Sequence, residues 1–226
     1  MKSALVTGGS SGLGLALARM LRDEGYELTL AARRPEPLQD AATDLGAEAV
    51  SANLADADEC VRVVAAHADR YGGMNVLVNS AGLGIGGSFA EQDTKRIGLQ
   101  LDVNLRAAMI VTREALPLLR ASGGHIVNLA SIAGTIPTPG LAVYGATKAA
   151  LISFTNSLNR EEADHGVRAT AICPAFVATR MTEWTGIPPE EQIQPEDVVE
   201  LVRTVLRLSP RARVPQIVIE RVGDTV

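Results

Sequence analysis

The feature that most restricts this chain is a regular alternation of two patterns. Short apolar runs near residues 2–7, 26–31, 47–51, 74–79, 124–130, 167–173 and 215–220 are separated by helix-patterned stretches. The helices are expected near 13–24, 35–45, 56–70, 93–121 with a break inside it, 142–165 and 195–208. Strands joined through helices, rather than through tight turns, pair in parallel with the helices covering both faces of the sheet. The predicted class is α/β: one doubly wound domain with a mostly parallel, seven-stranded sheet flanked by helices. Those elements use up all 226 residues, so the expected organisation is a single domain over 1–226 with no internal repeat. Only 3% of residues are aromatic while 46% are hydrophobic, which leaves Ala, Val, Leu and Ile to build the core, as a helix-covered sheet requires.

Composition also narrows the partners. The net charge is −5 with basic residues scattered, which argues against nucleic acid or an anionic membrane as partner. An anionic ligand has to be held locally. Cys60 and Cys173 sit far apart in apolar contexts without metal-ligand spacing, so they read as small buried residues and no metal site is expected. Strand-like sequence begins at Lys2 with no charged and apolar leader, and no apolar run approaches spanning length; the expected compartment is the cytoplasm.

The first strand runs into Thr7-Gly-Gly-Ser-Ser-Gly-Leu-Gly14 and then into an amphipathic segment. Glycines at 8, 12 and 14 let the backbone turn sharply and let its amides approach an anion, and the helix that follows offers its positive end to a phosphate. Between a strand and a helix, the loop with Ser10, Ser11 and Leu13 reads as a dinucleotide-binding turn of a Rossmann-like fold. Arg33 lies nineteen residues beyond Gly14, where a carboxylate would bind the free ribose hydroxyls of NAD. Ala31-Ala32 supply none, and the Arg33 and Arg34 guanidiniums suit a 2′-phosphate, so NADP is the expected cofactor. The competing reading is a solvated Arg-Arg pair that opens the loop before Pro35.

A second constellation lies further on. Ser131 closes the strand-like run from His125 to Ala130, at the carboxyl end where open α/β sheets bind ligands; its other reading is a turn or cap residue. Thirteen residues later come Tyr144 and Lys148, one helical turn apart and on one face. A neighbouring ammonium favours the phenolate, which would bring a tyrosine that ionises near ~10 towards use as a general acid or base.

Four features now stand in order: the glycine loop, Asn79-Ser-Ala-Gly82, Ser131, and Tyr144 with Lys148. Together they resemble the short-chain dehydrogenase/reductase family from Lys2 to about Thr179. The resemblance implies Tyr144 as catalytic acid or base, Lys148 lowering its pKa and holding the nicotinamide ribose, and Ser131 orienting the carbonyl. It implies that Asn104 anchors a water in a proton relay, a role compatible with a helix kink or buried cap. Asn79, Ala81 and Gly82 would lie along the cofactor and support the sheet. Asn53-Leu54 stands where the family has an acidic residue near the adenine. After the sixth strand Pro174-Ala175 replaces Pro-Gly, making that turn less permissive, and Val177 and Thr179 would meet the carboxamide.

The Pro- and Gly-punctuated stretch 175–195 is expected to form a short lid over the mouth of the sheet. Phe176, Met181, Trp184 and Ile187, with Leu141 and Val143, either line an apolar pocket for a modest ketone or pack the loop down. A carrier-bound 3-oxoacyl thioester is a further substrate class. The tail from Val214 to Val222 reads as an edge strand without a glycine-rich ending, and the resemblance implies a homodimer or homotetramer. The leading function is an NADP(H)-dependent oxidoreductase that interconverts a small carbonyl compound and a secondary alcohol. The alternative is a dinucleotide-binding redox sensor or regulator without turnover.

Overall fold

The computed structural model describes residues 1–223. Its seven strands are β1 (Ser3–Thr7), β2 (Glu27–Ala32), β3 (Glu48–Ser51), β4 (Val76–Asn79), β5 (His125–Leu129), β6 (Arg168–Pro174) and β7 (Gln216–Ile219). They form one sheet in the order β3-β2-β1-β4-β5-β6-β7, every neighbouring pair parallel. The seven helices are α1 (Gly12–Asp23), α2 (Pro35–Leu45), α3 (Ala57–Tyr71), α4 (Thr94–Leu101), α5 (Ala107–Ser122), α6 (Ala142–Glu161) and α7 (Pro195–Arg207). The order of the strands reverses between β1 and β4. In such sheets the loops leaving two diverging strands open a crevice, and ligands bind there.

Alternate strand residues feed two cores, since successive side chains point to opposite faces. Ala4, Val6, Leu28, Leu30, Val76 and Val78 pack with Leu17, Leu21, Leu38, Val198 and Val202 from α1, α2 and α7. Leu5, Leu77 and Ile126 face the other way, against Val63, Val111, Leu119 and Leu158 from α3, α5 and α6. Central strands buried on both faces explain why β4 and β5 read as continuous apolar runs.

Helix starts follow local chemistry. The Asp56 carboxylate accepts from the Asp58 amide at 2.9 Å and that of Asp93 from Arg96 at 2.8 Å, each satisfying an amide that the helix itself leaves open. The break expected within 93–121 takes a specific form: a π-helical segment, Asp102–Arg106, joins α4 to α5 without interrupting the rod. The helix expected over 142–165 ends at Glu161 and passes into a short 3-10 turn, Ala163–His165. Among the described residues no helix is long and apolar enough to cross a membrane, and no group of His, Cys, Asp or Glu could hold a metal ion.

Candidate active site

The glycine loop is built by close backbone contact. The Gly8 amide donates to Ala31 O at 2.7 Å, turning the chain over β2. A Cβ on Gly14 would lie 2.3 Å from Gly8 O, and one on Gly8 only 2.8 Å from the Ala81 amide nitrogen. No side chain fits at either position, so the start of α1, the loop after β1 and the loop after β4 pack as bare backbone. Thr7 ties the two loops together, its Oγ1 accepting from the Ser80 and Ala81 amides at 3.2 Å each. Ser11 occupies the position before α1 in extended geometry, and its hydroxyl caps no amide. The first amides of α1 are therefore open to an anion, with exposed Ser11 and half-exposed Ser10 beside them. Leu13 turns inward and packs against the core.

The residues expected near the adenosine end separate into surface and interior. Arg33 and Arg34 are exposed where β2 ends and α2 begins, and among the described residues neither guanidinium has a partner. Asn53 is exposed, but its Oδ1 turns back to accept from the Ala55 amide at 3.3 Å, which leaves the amide NH2 as its free edge. Leu54 is buried and lines a small apolar pocket with Ala81, Val103 and Val111. Asn79 serves the sheet. Its Nδ2 donates to Thr112 Oγ1 at 3.1 Å and to Asn128 Oδ1 at 2.9 Å, and its own Oδ1, buried, has no partner. A surface pocket of about 440 Å³ between the end of β7 and residues 190–197 is lined by the acidic Glu190, Glu191, Asp197 and Glu220 together with Arg221, so acidic side chains outnumber the basic one.

Ser131, Tyr144 and Lys148 meet because two glycines allow it. Ser131 leads into a 3-10 turn, Ile132–Gly134, and its Oγ accepts from the Ala133 amide at 3.2 Å, so the capping reading is also correct. A Cβ on Gly134 would lie 2.7 Å from the Lys148 carbonyl carbon, and one on Gly145 the same distance from Ala133 O. The turn is thus pressed onto the first turns of α6, which carry Tyr144 and Lys148. Lys148 is buried; its Nζ donates to Leu129 O at 2.6 Å and stands 5.6 Å from the centre of the Tyr144 ring.

Two expectations about chemistry are corrected here. Tyr144 is not lowered: burial raises its pKa above the ordinary value, opposed by a hydrogen bond with Ser131. Burial likewise pushes Lys148 down to about 8, and its ammonium is aimed at a strand carbonyl rather than at the phenol. Asn104 lies in the π-helical segment with its side chain held by three hydrogen bonds. Its Oδ1 accepts from the Leu83 amide at 2.8 Å, and its Nδ2 donates to Leu83 O at 2.9 Å and Thr147 Oγ1 at 3.2 Å. A Cβ on Gly82 would approach Asn104 Oδ1 to 3.4 Å and Lys148 Nζ to 3.5 Å, so a glycine there lets both groups share one corner.

Beyond β6 the chain returns over the glycine loop. Pro174 ends the strand and the Ala175 amide donates to Ile219 O at 2.8 Å. No non-glycine residue among those described has a positive φ, so the turn at Ala175 does not need the glycine that the family pattern has there. Val177 is buried and pairs with Ile193, and the Thr179 methyl lies 3.6 Å from where a Gly12 Cβ would be. Thr179 also caps the 3-10 segment Arg180–Thr185. Within the stretch 175–195 Phe176 meets Trp184 edge-on at 6.4 Å, while Trp184 is 67% and Met181 46% exposed; Val143 by contrast is buried in the packing of α6. Sequence reading passed over Thr7, Thr147, Gly134 and Gly145. Single small residues at element junctions carry no periodic signal, and only the contacts reveal them.

Comparison with known proteins places this geometry. The family described as short chain dehydrogenase matches residues 2–187. An "uncharacterized oxidoreductase" of Staphylococcus epidermidis is 35% identical over 98% of this chain and 97% of its own length. One from Staphylococcus aureus is 32% identical over the same shares. Among solved structures, an alcohol dehydrogenase from the archaeon Thermococcus sibiricus complexed with 5-hydroxy-NADP superposes with TM-score 0.92 at 27% identity, covering 100% of this chain and 99% of that one. A single-residue variant of actinorhodin polyketide ketoreductase with NADPH gives TM-score 0.88 at 30% identity over 97% and 95%. With a family match over most of its length, a seven-stranded parallel sheet and oxidoreductase relatives of the same size, the chain belongs to the short-chain dehydrogenase/reductase family of oxidoreductases.

Proposed function

We propose that this protein is an NADP(H)-dependent oxidoreductase that interconverts a small carbonyl compound and a secondary alcohol. The observation that carries the reading is the convergence of Ser131, Tyr144 and Lys148 at the carboxyl edge of the sheet, held there by Gly134 and Gly145. The fit of a dinucleotide rests on the side-chain-free cradle of Gly8 and Gly14 and on the uncapped start of α1. Arg33 and Arg34, unpaired among the described residues, are the groups that would receive a 2′-phosphate; the two solved relatives named above carry NADP-type cofactors. The bound dinucleotide supplies or accepts the hydride. Lys148 would hold its nicotinamide ribose, with Val177 and Thr179 beside the carboxamide and Leu54 with Ala81 towards the adenine.

The remaining work falls to the chain. Ser131 donates a hydrogen bond to the carbonyl oxygen and Tyr144 delivers the proton to it; in the oxidative direction Tyr144 takes that proton back. A pKa raised by burial suits the first role, because the hydroxyl keeps its proton at neutral pH until charge develops on the oxygen. A sensor without turnover would need the cradle but not this proton donor, so the arrangement favours the enzyme. A carrier-bound 3-oxoacyl thioester is compatible with the same chemistry, but no basic cluster beside the lid supports it. The test is reduction of a ketone panel followed with NADPH and with NADH, for wild type and Tyr144→Phe. The expected result is turnover with NADPH that falls about 10²- to 10⁴-fold in the variant while its NADPH Kd stays close to that of wild type. Near-normal rates in Tyr144→Phe would exclude this tyrosine as the acid.

A further inference from the structure

The loop that leaves β4 beside Tyr144 contains Gly82, Gly84, Gly86 and Gly87, yet it is held in one course by side-chain amides. Asn104 engages both backbone groups of Leu83. Two residues along, the Ile85 amide donates to Gln100 Oε1 at 3.2 Å, and Ile85 O accepts from Gln92 Nε2 at 3.3 Å. Gln100 Nε2 closes the set by donating to Gln92 Oε1 at 3.2 Å. Gln100 is 0% exposed. Gln100 in α4 and Asn104 in the π-helical segment lie four residues apart, and between them they reach alternate residues of the loop, Ile85 and Leu83.

Pinning residues 83 and 85 determines where 84 goes. A Cβ on Gly84 would lie 3.8 Å from Tyr144 Cδ2 and 3.9 Å from Cε2, with no other atom within 4 Å. Any side chain at 84 would cover the edge of the Tyr144 ring, and glycine leaves it open. On the far side of the loop the Gly87 amide donates to Gly140 O at 2.9 Å, which keeps the loop from lifting away.

We propose that Gln100, acting with Gln92, is a positioning residue for substrate specificity. It holds Gly84 against Tyr144 so that the uncovered ring edge receives a flat, aryl-type substituent of the ketone. The proposal rests on the oxidoreductase reading above for its substrate clause, but the latch itself can be tested without turnover. Hydrogen exchange of the Ile85 amide should quicken at least tenfold in Gln100→Met, with the Leu83 amide, held by Asn104, changing less. Equal exchange at Ile85 in variant and wild type would overturn the latch.

For specificity, the NADPH-linked reduction of 2-butanone and of propiophenone is compared. Gly84 has no positive φ and an alanine Cβ meets only ordinary contact distances, so Gly84→Ala leaves the backbone unstrained. In that variant the KM for propiophenone should rise at least fivefold more than that for 2-butanone. In Gln100→Met the kcat/KM preference for propiophenone should fall at least fivefold, mainly through KM. A loss shared equally by both ketones, which is what general destabilisation would produce, overturns the specificity role. If wild type reduces neither ketone, the substrate clause is overturned while the oxidoreductase reading is decided by the wider ketone panel, and Ile85 exchange still decides the latch.

Discussion

Lys148 shows how much a single side chain's surroundings change its chemistry. Its hydrogen-bond partner is a main-chain carbonyl, and burial brings its pKa down to about 8 against 10.5 for a free lysine. The ammonium is therefore retained at neutral pH and lost as pH rises through 8. If this group holds the cofactor, NADPH affinity in wild type should weaken across that interval, and Lys148→Met should show no such inflection. A charge-assisted hydrogen bond contributes about 1.5–3 kcal/mol, so the variant's affinity near pH 7 should be roughly tenfold to over a hundredfold lower. An NADPH titration from pH 6.5 to 9.5 measures both effects. Arg33 is the matching case at the other end of the cofactor. Exposed and unpaired among the described residues, it would gain a partner from a 2′-phosphate. Arg33→Ala should weaken NADPH by about tenfold or more and NADH far less; adding Ala32→Asp should reverse the preference by repelling the phosphate and meeting the ribose hydroxyls. The ratio of kcat/KM for the two cofactors reads this, and equal weakening of both would return Arg33 to the loop surface.

Among the elements, α6 carries Tyr144 and Lys148 while Asn104 sits in the π-helical segment that runs into α5, so α5 and α6 must keep a constant relation to each other. One fastening is the forked pair Arg120–Glu162, with Nε to Oε2 at 2.7 Å and an NH2 group to Oε1 at 2.6 Å. Glu162 is buried while the Arg120 side chain is 42% exposed, and the guanidinium hydrogen bond lowers the carboxyl's pKa. Removing the arginine leaves a buried carboxylate without its donor. Arg120→Ala should lower stability measurably, and Glu162→Gln less, because the amide is neutral. Urea midpoints for the two variants check the order. The π-helical segment belongs to this scale as well. The sequence predicted a break within 93–121, and the structure replaces that break with one extra residue in the turn, which brings Asn104 to Leu83 and Gln100 to Ile85.

At the scale of the whole molecule, two buried histidines make the fold sensitive to acid. His67 bridges Thr29 and Gly73 O and is pushed down to about 4; His125, beside Thr170 and Arg168, is pushed down to about 3, in both cases first by burial. The unfolded chain protonates both near 6.5, so below that pH it binds more protons than the native state and stability falls as pH falls. The contribution is complete above about 6.5 and is lost progressively towards 4 for His67 and 3 for His125. At pH 5 each accounts for about 2 kcal/mol, a sizeable share of the ~5–15 kcal/mol typical of a domain. The double variant His67→Gln, His125→Asn should therefore show a shallower loss of stability between pH 7 and pH 5, measured by urea unfolding. An equal slope would move the acid sensitivity to the carboxylates.

Strand number, strand direction, the cradle and the order of Ser131, Tyr144 and Lys148 could all be read along the chain. Each depends on periodicity, or on a residue type at a fixed distance from its neighbours, and local chain geometry turns such spacing directly into shape. The double burial of β4 and β5, the open start of α1 and the exposure of Arg33 follow from the same logic. What the tertiary structure alone decided were contacts between residues far apart in sequence. These include Gly134 and Gly145 pressing Ser131 towards α6, the bonds of Asn104 to Leu83 and Thr147, the Lys148 bond to Leu129, and the two glutamines that hold the loop at Gly84. The pKa shifts of Tyr144 and Lys148 are of this kind as well. Spacing alone suggested that an ammonium one turn away would lower the phenol, but both shifts come from how much protein encloses each group, a property that exists only once the chain has folded around it.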